Sequence, residues 1–557
     1  MKTTLLPIVL FLICFGAFSQ DVKVKWGQDY KIPKKSFIKK IIGEDEKGFY
    51  LLRNQGQTRS KEGELFLERY SNDNVSLQSS NMILVPKIKG ESVKYEQLFY
   101  INEKLLLFTS FYDKEAGTNT VYAQYLDEIG RGVSELIRIN EIHTLQKKNT
   151  GSFEIVLSED NSKILVCSNE PFENYANEKI AYTVLDVDLN KIWSTELEMP
   201  YSGRELSITN HIVDNFGNAH MLAKVNMKPE KAEKKQADYF YTILSYFYSD
   251  DIVKEYEVSI KDKSVSDIAF KLSGSGELVA AGFYSNTTKG QSNSNTNFGF
   301  SSVSYQEQKS LIAGSFYLKI DLSTQKVTAR GIKEFDRSFL GEFMNERSID
   351  KGKELFSYLI DHFVIREDGG AILAGEQYYS TMVCNYDPRT GIRNCNYHYY
   401  FNDIVIVNIN PDGSIAWTRK IPKKQHSIND HGFYSSYIFA YDNSTISIVF
   451  NDHIRNIVPE KGKNIKYMNN PRKAVVALVT VDESGKVKKS PLFAARDQKV
   501  IVRPKVFSQV KIDQAIIYGQ KKNTYKMGKM TFLSSKNANE EKKQSGYLEN
   551  RNSEDGD

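Results

Sequence analysis

A pattern of four strands recurs along this chain, and its last copy is split between the two ends. That feature limits the possible folds more than any other. The repeat reads strand A, tight turn, apolar strand B, loop, strand C, tight turn, strand D. The clearest copy starts at Tyr358, with strand A over 358–366 and a turn at Glu367-Asp368-Gly369-Gly370. Strand B covers 371–377; after a long loop, strand C covers 402–408, Pro411-Asp412-Gly413 turns the chain, and strand D covers 414–421. Strand C is apolar on both faces, with Ile404 and Ile406 on one and Val405 and Val407 on the other. A strand of that kind belongs to a sheet covered on both sides.

Other copies of strand C lie at 182–188, 316–321 and 475–482, and of strand B at 278–282, 372–375 and 516–519. The three tryptophans, Trp26, Trp193 and Trp417, read as one position of strand D, in WGQDYKIP, WSTELEMP and WTRKIP. On that alignment the chain starts with a strand D and ends with an orphan A-B-C set over 505–533. The N-terminal strand then completes the C-terminal sheet, which is how propellers join their first and last blades and avoid long edges. The fold expected is all-β: a single β-propeller of eight four-stranded blades, or seven if one copy is misread. The blades fall at 36–85, 94–140, 151–200, 206–260, 265–335, 358–421, 429–495, and 501–533 with 22–33. Residues 336–354 read as a weakly helical link.

Composition agrees with strands, since Tyr and Phe number 33 and 31 and such residues suit half-buried pleated surfaces. Lys and Arg total 74 against 69 Asp and Glu, a near-balance that argues against nucleic acid as a partner. Met1 and Lys2, the apolar run Leu5 to Phe15 and Ala17-Phe18-Ser19 read as a cleaved signal peptide over 1–19. That run is too short to span a bilayer, and no later segment is apolar enough to do so. The expected map is therefore a signal peptide over 1–19, the propeller over 20–533, and a charged, disordered tail over 534–557. The location expected is the periplasm or the outer membrane. In an exported chain, Cys384 and Cys395, flanking the turn YDPRTG, are candidates for a disulfide. Two free thiols are the alternative.

In a propeller the B–C and D–A connections share one face. Four B–C loops are long here, at 226–238, 285–310, 378–401 and 452–472, and insertions gathered on one face mark a binding face. The second of them is rich in Ser, Asn and Gly and reads as flexible. Lys228, Lys234 and Lys235 crowd the first loop, Lys461, Lys463 and Lys466 the last, and Lys423 and Lys424 a D–A connection. Such a basic rim attracts an acidic glycan or an acidic protein. His431 and His453, each following an Asp, complete the candidate binding face; Asp361-His362 is a third such pair, inside an A strand. None lies in a HExxH or Cys-x-x-Cys frame, so ordinary turn roles are the plainer reading. No catalytic residue, metal ligand or cofactor site is assigned. Two functions follow. One is a non-enzymatic cell-envelope scaffold that binds protein partners through the long-loop face, for example as a subunit of an outer-membrane or export assembly. The alternative is a carbohydrate-active propeller, either a glycan-binding module or a glycoside hydrolase or lyase. Hydrolysis would need paired carboxylates about 5–10 Å apart across a pocket.

The segment Asn402 to Pro422, NDIVIVNINPDGSIAWTRKIP, resembles secreted, cell-envelope propeller-like repeat proteins of the Bacteroidota. YDPRTG at 386–391 and VFND at 449–452 are similar to the same group. The resemblance is strongest over 358–533. It implies an exported propeller and supplies no activity. The WD, kelch and sialidase Asp-box signatures are absent; the nearest string, NPDGSIAW at 410–417, lacks the leading Ser and has its Trp one residue early.

Overall fold

Each repeat carries apolar side chains on both faces and cannot bury them alone. The computed structural model describes residues 22–533 apart from 57–62, 145–148, 172–175, 228–237, 287–294, 299–300, 306–309 and 459–463. In it the repeats form eight antiparallel sheets, each built on four strands adjacent in space. In chain order the first seven span 36–82, 94–143, 152–202, 206–258, 264–334, 358–421 and 438–494. The eighth takes three strands from 501–532 and its fourth from the other end of the chain. Val22–Trp26 pairs with Thr524–Phe532, with Val22 opposite Phe532 and Trp26 opposite Gly528. The architecture is all-β and propeller-like. Two short helices, Arg337–Gly341 and Glu346–Asp350, lie in the connection after the fifth sheet and are N-capped by Asp336 and Asn345.

The core is a series of clusters between consecutive sheets. Ile372, Ile404 and Ile406 of the sixth sheet meet Phe439, Ile448 and Phe450 of the seventh. Ile438, Val449 and Leu478 of the seventh meet Val22, Met530 and Phe532 of the eighth. Ile516 and Met527 of the eighth meet Phe49 and Leu51 of the first. Each such side chain, fully buried, contributes about 1.5–3 kcal/mol. The central strands are therefore apolar on both sides, while an outer strand such as Lys191–Ser202 alternates through most of its length.

The tryptophan alignment holds for two positions and fails at the third. Trp193 and Trp417 are each the third residue of an outer strand. Each indole N–H donates to a turn carbonyl of the following sheet, at Gly217 and Glu483, both at 2.9 Å. Trp26 instead ends its strand and faces the preceding sheet, edge-on to Phe493 with ring centroids 6.0 Å apart. No C–D turn ties Trp26 to its partner strand, so nothing local sets that register. The slot is made by glycine: a Cβ on Gly528 would lie 2.8 Å from Trp26 Cε3. The strand nonetheless occupies the fourth place of the eighth sheet.

Candidate functional site

The loop expected over 378–401 is not a loop. Ala371–Asp387 and Ile392–Ile409 stay paired from Ala371 opposite Ile409 out to Asp387 opposite Ile392, and the outer half projects as an arm. The residues explain this. Tyr378 to Asp387 and Ile392 to Phe401 hold many aromatic and β-branched side chains and neither Pro nor Gly, which favours extended pairing. At the tip, Asp387 accepts from Arg389 N–H and Thr390 Oγ1, and Gly391 takes a positive φ of 69°. Cys384 lies opposite Cys395 and is disulfide-bonded to it.

Neighbouring connections add to the arm. Gln425–Ile428 pairs with 398–401 on one side. On the other, Ser301–Tyr305 pairs with 381–385 and carries Asn295–Phe298 beyond it. The insert at 285–310, expected to be flexible, thus supplies a hairpin, because a ready strand edge satisfies its backbone groups. One side of the arm's base is a ladder of rings. Tyr379 stacks on Tyr400 at 4.7 Å, Tyr400 on His426 at 4.8 Å, and His426 on His398 at 5.2 Å. His398 Nδ1 lies 2.9 Å from His426 Nε2, so the two imidazoles share a hydrogen bond. Burial first, and the neighbouring His398 second, lower the pKa of His426. Tyr386, Ile392, Tyr397, Ile428 and Tyr467 are exposed on and beside the arm.

Of the described members of the expected basic rim, one is misplaced. Lys423 is fully buried: its ammonium pairs with Glu376 Oε1 and donates to Phe401 O at 2.9 Å and Gln425 Oε1 at 3.2 Å. It cannot belong to a surface, because the connection carrying it folds under the arm. Lys424 lies over the ring of Tyr467 at 5.6 Å. Lys466 is exposed, with its backbone pinned by Asn456. His431 is exposed, at a φ of 54°, with its ring 5.0 Å from that of Tyr399. His453 caps a single 3-10 turn by accepting from Arg455 N–H. Lys228, Lys234, Lys235, Lys461 and Lys463 lie outside the described residues.

The Asp-His pairs separate. Asp452 turns inward to Lys489 at 2.7 Å, and Asp430 accepts from Gly432 N–H. Only Asp361-His362 reaches a common space, a cavity of about 510 Å³ bounded by the first strands of the fourth to eighth sheets. The ladder slips between Ile360 and His362, and Asp361 is the extra residue. First strands of other sheets slip likewise, between Ile38 and Lys40, Ile208 and Asn210, and Val265 and Asp267. Bulges re-aim side chains, and here Asp361 lines the cavity and is exposed to its solvent. The surrounding protein first, and the Glu376 charge second, raise the pKa of its carboxyl. The Glu376 backbone N–H donates to it at 3.0 Å. His362 is stacked on Phe439 at 4.7 Å, and burial, then Lys271, lowers its pKa to about 4. Nothing in the sequence separates this pair from the other Asp-His dipeptides, because the bulge that aims it is set by strand pairing. Among the described residues, no three His, Cys, Asp or Glu side chains converge as metal ligands. Among them too, no helix is long and apolar enough to cross a membrane.

Breaking the arm's crosslink tests its independence. The disulfide closes a short loop (sequence separation 11), a class worth roughly 2–3 kcal/mol. Replacing both cysteines by serine should speed amide exchange at 380–399 by at least about tenfold while leaving the main thermal transition in place. Hydrogen exchange read by mass spectrometry checks this; unchanged exchange would show that strand pairing alone holds the arm.

No protein-family model matches this chain, and no curated protein does. Several solved structures are similar to it at low identity. The WD40 domain of SCAP from fission yeast aligns over 92% of this chain and 95% of its own, at 10% identity and a TM-score of 0.37. An ulvan lyase of polysaccharide lyase family PL25 aligns over 90% and 95%, at 9% identity and a TM-score of 0.36. The β-propeller domain of the Trilobed protease from Pyrococcus furiosus aligns over 66% and 93%, at 11% identity and a TM-score of 0.27.

Proposed function

We propose that this chain is a non-enzymatic binding scaffold of a bacterial cell envelope, built on a closed propeller of eight four-stranded blades and engaging a protein partner through the arm. The arm carries the reading. Connections from the fifth and sixth sheets and the link to the seventh converge on it, and its tip presents Tyr386, Ile392 and Tyr397 to solvent. Large exposed aromatic and aliphatic side chains on a braced element suit a partner interface. Support for closure comes from clusters linking the eighth sheet to both the seventh and the first. Support for export comes from the disulfide and the leader-like N-terminus. The carbohydrate-active alternative is weaker as a hydrolase, since among the described residues Asp361 is the only carboxyl lining the cavity and Glu376 is held by Lys423.

The test is recovery of the tagged protein from its native envelope in mild detergent, beside a Tyr386→Ser/Ile392→Ser/Tyr397→Ser variant. The expected result is one or two envelope proteins in stoichiometric amount with the wild type and at least about tenfold less with the variant. Recovery of the chain alone, or equal capture by the folded variant, would overturn the reading.

A further inference from the structure

A second cavity, of about 440 Å³, lies between the sixth and seventh sheets at the end opposite the arm, and takes no part in the scaffold function. Tight turns at 366–370, 410–414, 442–445 and 482–486 surround it, so short hydrogen-bonded backbone sets its shape. Ile372, Ile446 and Val481 give it an apolar floor, and Asn408, 6% exposed, is the polar group among them. Arginine can only donate, so the hydrogen bond from Arg366 Nη1 fixes Asn408 Oδ1 on that side. The Nδ2 hydrogens bond no other described residue and are left for the cavity. Two rings also line it. Trp417 is held in place: its Nε1 donates to Glu483 O at 2.9 Å, and a Cβ on Gly485 would lie 2.9 Å from its Cδ2. The Tyr441 hydroxyl makes no hydrogen bond among the described residues. The rim is acidic. Asp368 pairs with Arg366 at 2.7 Å. Asp482 spends Oδ1 on the Ser484 and Lys486 N–H groups, both at 3.0 Å, and keeps Oδ2. Glu483 makes no ion pair among the described residues.

We propose that this cavity binds a neutral saccharide, with a sugar oxygen accepting from Asn408 Nδ2, hydroxyls bonding Tyr441 Oη, Asp482 and Glu483, and the C–H face of the ring against Trp417. A sugar hydroxyl both donates and accepts, so one ligand meets the floor donor and the rim acceptors together. Sugar C–H bonds carry a slight positive charge and match the negative face of an aromatic ring. The volume suits a mono- or disaccharide. An organic cation would satisfy the rim and leave Asn408 without an acceptor. An acidic glycan would be repelled, because Glu367, Asp368, Asp482 and Glu483 outnumber Arg366. These four carboxylates are all exposed, so none is set to hold a proton for glycoside cleavage. The site binds and does not cleave.

Titration calorimetry on the whole protein with maltose, cellobiose, mannobiose and galactobiose tests this, with digalacturonate and spermidine as charged controls. Expected is saturable 1:1 binding of at least one neutral disaccharide, at least about tenfold tighter than either control. Asn408→Asp keeps an oxygen beside Arg366 and has no donor; it should bind at least about tenfold more weakly. Tyr441→Phe removes only an unbonded hydroxyl, so it should unfold at the wild-type temperature and bind at least about threefold more weakly. No saturable binding of any of the four sugars at about 10 mM, a charged control binding as tightly, or wild-type affinity in Tyr441→Phe and in folded Asn408→Asp would overturn the proposal. The Tyr386→Ser/Ile392→Ser/Tyr397→Ser variant should bind the sugar like wild type, so this proposal and the scaffold reading fail separately.

Discussion

Replacing Lys423 by alanine should destabilise the protein by about 3–5 kcal/mol, the range for removing one partner of a buried ion pair. Lys423 and Glu376 have side chains 0% and 3% exposed, so neither can turn to water when the other is lost. The ammonium also holds Phe401 O and Gln425 Oε1, tying the base of the arm to the link between the sixth and seventh sheets. Glu376 left alone would keep Ser436 and lose its counter-charge. Lys424→Ala, one residue on, removes only a contact with Tyr467 and should cost under about 1 kcal/mol. The double variant Lys423→Met/Glu376→Leu should recover most of the loss, because an apolar pair leaves no charge uncompensated. Urea unfolding of the four proteins decides. Equal midpoints for Lys423→Ala and Lys424→Ala would refute the buried pair.

The second large effect concerns the N-terminal strand. Deleting 22–31 should lower stability by about 5 kcal/mol or more. Val22 is fully buried, and Val24 and Trp26 pack beside it against the seventh sheet; full burial of such side chains is worth about 1.5–3 kcal/mol each. That loss is comparable to the whole stability of many domains, about 5–15 kcal/mol. It also bares the edge of Thr524–Phe532, whose residues from 528 to 532 pair with the deleted strand. An unpaired edge of that length is a template for association. The truncated protein should therefore melt lower and elute as oligomers by light scattering, and a synthetic peptide of residues 22–33 should restore both properties. A truncated protein that melts like wild type as a monomer would show that this strand does not close the eighth sheet.

The repeat was legible because its signals are local. Period-two alternation, Asp-Gly turns and apolar runs such as Ile404 to Ile409 depend on near neighbours, and the number and order of strands over 358–421 follow from them, though not the far ends of the two central strands. The split eighth sheet was inferable from the orphan strands at the C-terminus, although the tryptophan match used in support does not hold at Trp26. The arm is legible too in its aromatic run free of Pro and Gly, which continues both strands through the span that the repeat spacing assigns to a loop.

Patterning along the chain determined that this is a β-repeat protein, and composition that its charges are in near balance. Tertiary structure decided which of those charges meet water. Lys423 and Lys424 are adjacent and chemically identical, yet one is buried against Glu376 and the other lies on Tyr467. Asp361-His362 and Asp452-His453 are the same dipeptide, yet one lines a cavity while the other splits between a buried ion pair and a turn cap. The physical reason is that solvation and charge pairing depend on contacts dozens of residues away, whereas strand formation depends on the alternation of side chains along a few consecutive positions.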